Sequence, residues 1–164
     1  MEDLLTVFFK SIWCGGAALG FSILFNTPRR TLVAIWFGGF VAGMIKYGTM
    51  TAFPGTSIIM SSFLAALTVG FVSIPMAHLR HVPPVIFAIP SVIPLVPGIY
   101  AYRTMLGLMR LTRTDIPNFS EVIETAVRNG VTTVFIVMVL ALGVVLPMYL
   151  LRKESVKKIR WGKW

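Results

Sequence analysis

The chain has 164 residues, 56% hydrophobic and only 13% charged, with a mean hydropathy of +0.82; this excludes an ordinary soluble domain and leaves room for a single domain whose solvent is lipid. Fifteen Lys and Arg against six Asp and Glu give a net charge of +9, yet nucleic-acid binding needs a water-facing cationic stripe that most of the chain cannot supply. The single cysteine, Cys14, lies in an apolar run, so neither an intramolecular disulfide nor a cysteine metal cluster is available.

Crossing roughly 30 Å of hydrocarbon takes about 20 helical residues. The chain opens Met1-Glu2-Asp3, without the basic start of a secretory signal, so the first apolar run, Leu4 to Phe25, reads as a permanent span. Asn26-Thr27-Pro28 ends it, because proline stops a helix and forces the residue before it out of the α region. Thr31 to Phe53 is the second span, ended by Pro54-Gly55, and Ile58 to Leu79 is the third, running into His78-Leu79-Arg80-His81. Val82 to Met109 is long enough to cross but is interrupted by Pro83, Pro84, Pro90, Pro94 and Pro97. Val127 to Leu151 is the last, after a short amphipathic stretch with Glu121 and Glu124. The expected fold is an all-α integral membrane protein with five transmembrane segments, the fourth broken by a proline-rich extended or re-entrant stretch. Residues 1–151 form the transmembrane domain and 152–164 a basic cytoplasmic tail.

Lys and Arg concentrate on cytoplasmic loops. Arg29, Arg30, Arg80 and the tail residues Arg152, Lys153, Lys157, Lys158, Arg160 and Lys163 fall on one side, against Arg110 and Arg113 on the other. The N-terminus is therefore expected outside and the C-terminus in the cytoplasm. The tail interleaves its cations with Trp161 and Trp164, which suits anionic lipid headgroups.

Small residues recur four apart at Gly16/Gly20, Gly39/Gly43, Ala66/Gly70 and Ala126/Gly130. Such spacing lets helix backbones approach closely in lipid, where hydrophobicity no longer drives association.

The most specific local feature is Ile89-Pro90-Ser91-Val92-Ile93-Pro94-Leu95-Val96-Pro97-Gly98. Three prolines in eight residues predict an extended or re-entrant strand over about 84–96, with a helix restarting near Pro97 and running to about Leu111; the alternative is a proline-kinked helix. Non-helical backbone at membrane depth survives only inside protein or beside a wet cavity. A helix N-terminus placed there offers unpaired N–H groups and partial positive charge to a carboxylate.

The spans contain four cations, Lys10, Lys46, Arg103 and Arg128, and no Asp or Glu. One-signed buried charge suits an anionic substrate. Lys10 and Arg128 lie near span ends and are expected to snorkel to water, Arg128 beside Glu124, whereas Lys46 and Arg103 are candidates for the substrate. Tyr47, Tyr100 and Tyr102 are nearby hydroxyl donors or interfacial anchors. Without an intramembrane carboxylate the chain shows no obvious ion-coupling residue. His78 and His81 flank Arg80 at a membrane boundary with no third ligand and read as interfacial. No phosphate loop and no catalytic triad or carboxylate pair is present, so neither enzyme activity, a metal nor a cofactor is expected.

Two stretches resemble the threonine/serine exporter family. Gly20-Phe21-Ser22-Ile23-Leu24-Phe25-Asn26-Thr27-Pro28-Arg29-Arg30 is similar to its G-F…F-N-x-P-x-R signature, and Val92-Ile93-Pro94-Leu95-Val96-Pro97-Gly98-Ile99-Tyr100-Ala101-Tyr102 to its I-P-x-x-P-G-x-x-A-Y signature. Length and span order match the small subunit of its split, two-component members. The resemblance implies export of small carboxylates from the cytoplasm, threonine and serine or C4-dicarboxylates such as succinate, together with a second, larger membrane subunit. It carries Asn26, Pro28 and Arg30 as motif positions, and Pro94, Pro97, Gly98 and Tyr102 as site positions; Arg103 and Lys46 join the site on physical grounds alone. The inner (plasma) membrane is the expected location, small carboxylates and lipids the expected ligands, and a homo-oligomer is left open. The alternative is a non-transporting membrane assembly or lipid-interaction protein.

Overall fold

The computed structural model describes residues 2–112 and 119–151, and every regular element among them is helical. Six α-helices follow in order: α1 (Glu2–Leu24), α2 (Leu32–Ala52), α3 (Ile58–Arg80), α4 (Val85–Val92), α5 (Gly98–Leu111) and α6 (Phe119–Leu150). α1, α2 with the 3-10 turn Arg29–Thr31 before it, α3 and α6 are each long and apolar enough to cross a membrane. α4 with the turn after it and α5 are bent from one another by 56° and together are long and apolar enough to count as a fifth, broken span or a re-entrant loop. The all-α architecture with up to five spans is the one expected. Arg113, Asp115 and the tail 152–164, with Trp161 and Trp164, lie outside the described residues.

Large apolar side chains face outward, as Trp13, Leu24, Val33, Leu79 and Val134 do, while the interior is built from small ones such as Ala18, Ala42, Ala65 and Ala66. That inversion of a soluble bundle follows from a solvent as apolar as leucine, in which close backbone approach is what holds helices together. α1 and α2 run antiparallel. A Cβ added at Gly43 would lie 2.8 Å from the Ser11 Cα, and one at Gly39 would lie 2.6 Å from the Ala18 Cβ. Gly16 and Gly20 have open space instead, and the close approach on α1 falls at Gly15, against Trp36. The four-residue spacing thus identifies α2 correctly and picks the outward face of α1.

α3 and α6 run parallel, Gly143 lying against Ala66 and Leu67 and Gly70 against Pro147. This register sets Phe135 level with Ile58, so residues 119–134 overhang the start of α3. At 32 residues α6 is about 48 Å long, more than a bilayer core requires. α5 lies antiparallel along the overhang, with Gly107 on Ala126 and Thr104 on Gly130. Glu121 and Glu124, expected in a separate stretch, are the continuous first turns of α6.

The proline-rich segment is mostly helical rather than extended. α4 occupies Val85–Val92 and a second 3-10 turn occupies Ile93–Leu95. Pro84 immediately precedes α4, Pro94 falls in the opening positions of the 3-10 turn, and only Pro90 lies inside a helix. Each of the first two sits where a missing donor is tolerated. An extended strand would strip many more backbone groups of partners at membrane depth than one interior proline does. The departure from helix is confined to Val96 (φ −60°, ψ 130°) and Pro97 (φ −81°, ψ 69°).

Candidate functional site

The break is built from Pro97. Its fixed φ and a ψ of 69° make an inverse γ-turn, closed by the Gly98 N–H donating to the Val96 carbonyl at 2.9 Å. Tyr100 and Ala101 N–H donate to the Pro97 carbonyl at 3.1 and 3.2 Å. The helix restarts within one residue of the expected position and ends at Leu111 as expected. Three of the four N–H groups at its start are nevertheless already bonded, which corrects the expectation of a free backbone anion cradle there.

The charge at the break comes from α2. Lys46 is 6% exposed, and its Nζ donates to the Leu95 carbonyl at 2.8 Å. A buried ammonium without a counter-ion is costly, and this bond to the last carbonyl of the 3-10 turn gives it both an acceptor and the negative end of a short run of peptide dipoles. The Cys14 thiol of α1 has both Lys46 and the Tyr47 hydroxyl as neighbours. The Lys10 Nζ, on the exposed side, lies 5.5 Å from the centre of the Tyr47 ring, a cation–π arrangement. Lys10, Tyr47, Cys14 and Lys46 therefore form a sequence of neighbouring groups running from the surface into the bundle. α4 is pinned to α2 a second time by Ser91, whose hydroxyl donates to Phe87 O at 2.8 Å and lies 3.2 Å from Ile35 O.

Pro94 is half-buried and Pro97 buried, both beside the Lys46 contact, while Gly98 faces open space. Tyr102 is 63% exposed on the outside of α5. Arg103 is also exposed and does not join Lys46. It lines a cleft of about 450 Å³ between α5 and α6 with Arg110, Glu121 and Thr125, and a neighbouring one of about 540 Å³ with Tyr100, Glu124, Arg128 and Asn129. The four cations of the spans thus resolve into two pairs, Lys10 with Lys46 and Arg103 with Arg128.

The other motif builds a turn. Asn26 has φ 52°, Thr27 N–H donates to Ser22 O at 3.1 Å and Asn26 N–H to Ile23 O at 3.0 Å, the Schellman closure of a helix by a residue that tolerates the left-handed region. Pro28 opens the 3-10 turn and its carbonyl accepts from both the backbone and hydroxyl of Thr31, while Arg30 is exposed. His81 ends α3 in the same way at φ 53°, and the His78 ring bonds Ile74 O. Sequence reasoning missed the polar residues Ser61, Ser62 and Ser91 inside the bundle; the signal that could have found them is a hydroxyl on the small-residue stripe of a span.

A model of the family described as Threonine/Serine exporter, ThrE, matches residues 10–150. The chain is also similar to an uncharacterized protein of Haemophilus influenzae, 22% identical over 153 residues, covering 93% of the chain and 50% of that protein. It spans about half the length of this relative. No solved structure matches.

Proposed function

The chain belongs to the threonine/serine exporter family, and from that premise we propose that it is the small inner-membrane subunit of a secondary exporter of small carboxylates, working with a second, larger membrane subunit. The relative that carries as much chain again as the matched region supports such a partner. The N-terminus faces outward and the C-terminus the cytoplasm, as the distribution of Lys and Arg argues.

The observation that carries the reading is Lys46: a buried cation, bonded to backbone at the bend between α4 and α5, in a stretch, residues 4–111, that holds no Asp or Glu. Broken helices at membrane depth are how secondary transporters build substrate sites. The substrate carboxylate meets the chain between Lys46 and the segment Pro94, Pro97 and Gly98. Arg103, with Tyr102 beside it in sequence, belongs to the α5–α6 mouth, where Arg103 and Arg128 gather anions. At Lys46 a C4-dicarboxylate such as succinate fits better than threonine or serine, because the carboxylates of α6, Glu121 and Glu124, lie at the α5–α6 mouth and not beside Lys46, where the ammonium of an amino acid would need one.

Efflux of labelled succinate and threonine from cells or vesicles containing both subunits tests this. Lys46→Met, which keeps bulk and removes charge, is expected to cut efflux at least about tenfold, a loss of ~1.4 kcal/mol or more, with membrane assembly intact. Arg103→Ala is expected to lower efflux only several-fold, through apparent affinity. Wild-type efflux from Lys46→Met would remove the site, and absence of efflux from the wild-type pair would favour the non-transporting alternative.

A further inference from the structure

α5 and α6 meet on small residues. Gly107 lies against Ala126 and Gly130 against Thr104, so the two backbones come close along the seam and the longer side chains beside it are left to wall a cleft. Arg103 belongs to both cavities of that cleft. In the larger, of about 540 Å³, it shares the wall with Arg128 and Glu124 and with the polar groups of Tyr100, Thr125 and Asn129, a size that suits a small-molecule site.

Glu124 and Arg128 are four apart on α6, the spacing of an ordinary intrahelical ion pair. Among the described residues no such pair is formed, and the Glu124 carboxylate closes on neither Arg128 nor Arg103. All three side chains are exposed, so two guanidinium groups and one carboxylate line a single cavity with their charges open to it. That set selects its ligand by charge. Each guanidinium is a planar fork that fits a carboxylate, and Glu124 needs a cation. A dicarboxylate without nitrogen satisfies both arginines but brings like charge to Glu124. Threonine satisfies Glu124 but leaves one guanidinium unmatched. A repelling group of this kind is what gives a charged site its selectivity.

We propose that the α5–α6 mouth is a binding site for a small amino dicarboxylate of the aspartate type, its two carboxylates on Arg103 and Arg128 and its ammonium on Glu124. Thr125 and Asn129, each next along α6 from one of these groups, supply a hydroxyl and an amide to the carboxylate oxygens. The site stands on the cleft alone. That its ligand is one the protein moves rests on the exporter reading above, to which the mouth adds a residue that reads the nitrogen, as Lys46 does not. The headgroup of phosphatidylserine carries the same three charges, so lipid composition is varied in the test.

Binding of labelled aspartate to the full-length chain in phosphatidylcholine nanodiscs, with unlabelled succinate and threonine as competitors, tests this. Unlabelled aspartate is expected to compete at least about tenfold better than either. Glu124→Gln is expected to bring succinate to within about threefold of aspartate, and Arg128→Gln to do the same for threonine. Each reading is a ratio within one variant, so a general loss of folding, which weakens every ligand alike, does not imitate it. Absence of saturable binding to the wild type, equal competition by all three compounds, or an aspartate preference that survives Glu124→Gln overturns the site. Binding that disappears when phosphatidylserine is added to the nanodisc assigns the three charges to the lipid headgroup and overturns the soluble ligand. Efflux from vesicles holding both subunits separates this proposal from the exporter reading. If aspartate binds but the pair moves no substrate, the exporter reading falls and the site stands; if succinate efflux depends on Lys46 and aspartate does not bind, the reverse holds.

Discussion

At the scale of single residues, two glycines show what an absent side chain does here. Gly43 is closed in, since a Cβ there would lie 2.8 Å from the Ser11 Cα, and backbone cannot step aside. Gly98 is exposed, with nothing within 4 Å of its missing Cβ and no left-handed φ to demand a glycine. Gly43→Val should therefore pry α1 from α2, at about 1–3 kcal/mol, and lower the detergent-solubilised unfolding temperature. Gly98→Ala should unfold as the wild type does; any efflux it loses then marks the open space above the break as substrate path. The same contrast shows what was readable in advance. Lys46 stands out in the sequence as a buried-looking cation, but its acceptor belongs to a residue 49 positions away, and no spacing rule reaches that far. Ser61 and Ser62 were unreadable for a different reason: both are buried, and neither hydroxyl makes the hydrogen bond to its own helix that buried Ser11 and Ser73 make.

At the scale of elements, the spans were legible because hydropathy over about 20 residues reports directly on a 30 Å slab, and the bounds of α2 and α3 agree with the sequence to within one residue at either end. The location of the break was legible because proline is explicit about φ and about lost donors. The helicity of α4 was only half legible: prolines read as helix breakers, and the kinked-helix alternative prevails because one interior proline leaves far fewer unpaired groups in lipid than a strand does. Gly16 and Gly20 misled for a related reason, as spacing defines a face but only the neighbouring helix decides which face is covered. Because Pro97 alone sustains the γ-turn, Pro97→Ala should let the 3-10 turn and α5 join more nearly in line. Distances between spin labels at positions 85 and 108, measured by electron resonance, are expected to lengthen; an unchanged distance would mean that the Lys46 and Ser91 ties to α2 hold the bend instead.

At the scale of the molecule, four helices are long and apolar enough to cross, and counting the bent α4–α5 pair as a fifth span predicts termini on opposite sides. Alkaline phosphatase fused at the N-terminus should be active outside, and a fluorescent protein fused at the C-terminus should mature in the cytoplasm; the reverse pattern would invert the orientation while keeping the fold. The overhang of α6 beyond α3 gives the bundle one asymmetric end, where α5 packs along it and the Arg103/Arg128 mouth opens. Lys10 and Lys46 lie apart from that mouth, in the α1–α2 seam and at the break. A substrate that visits both cation pairs would meet exposed guanidinium groups on one and a buried ammonium on the other, an ordering that suits loose capture followed by tighter recognition.

The eight residues of α4 and three of the 3-10 turn are too few to span a bilayer. During synthesis such a segment has no strong reason to leave water for lipid by itself. It has to enter with α5 and α6 behind it, or be drawn against α2 once Lys46 finds the Leu95 carbonyl. A segment that cannot cross by itself thus depends on its neighbours for its depth, and the bond from Lys46 to Leu95 is a tie that holds it there.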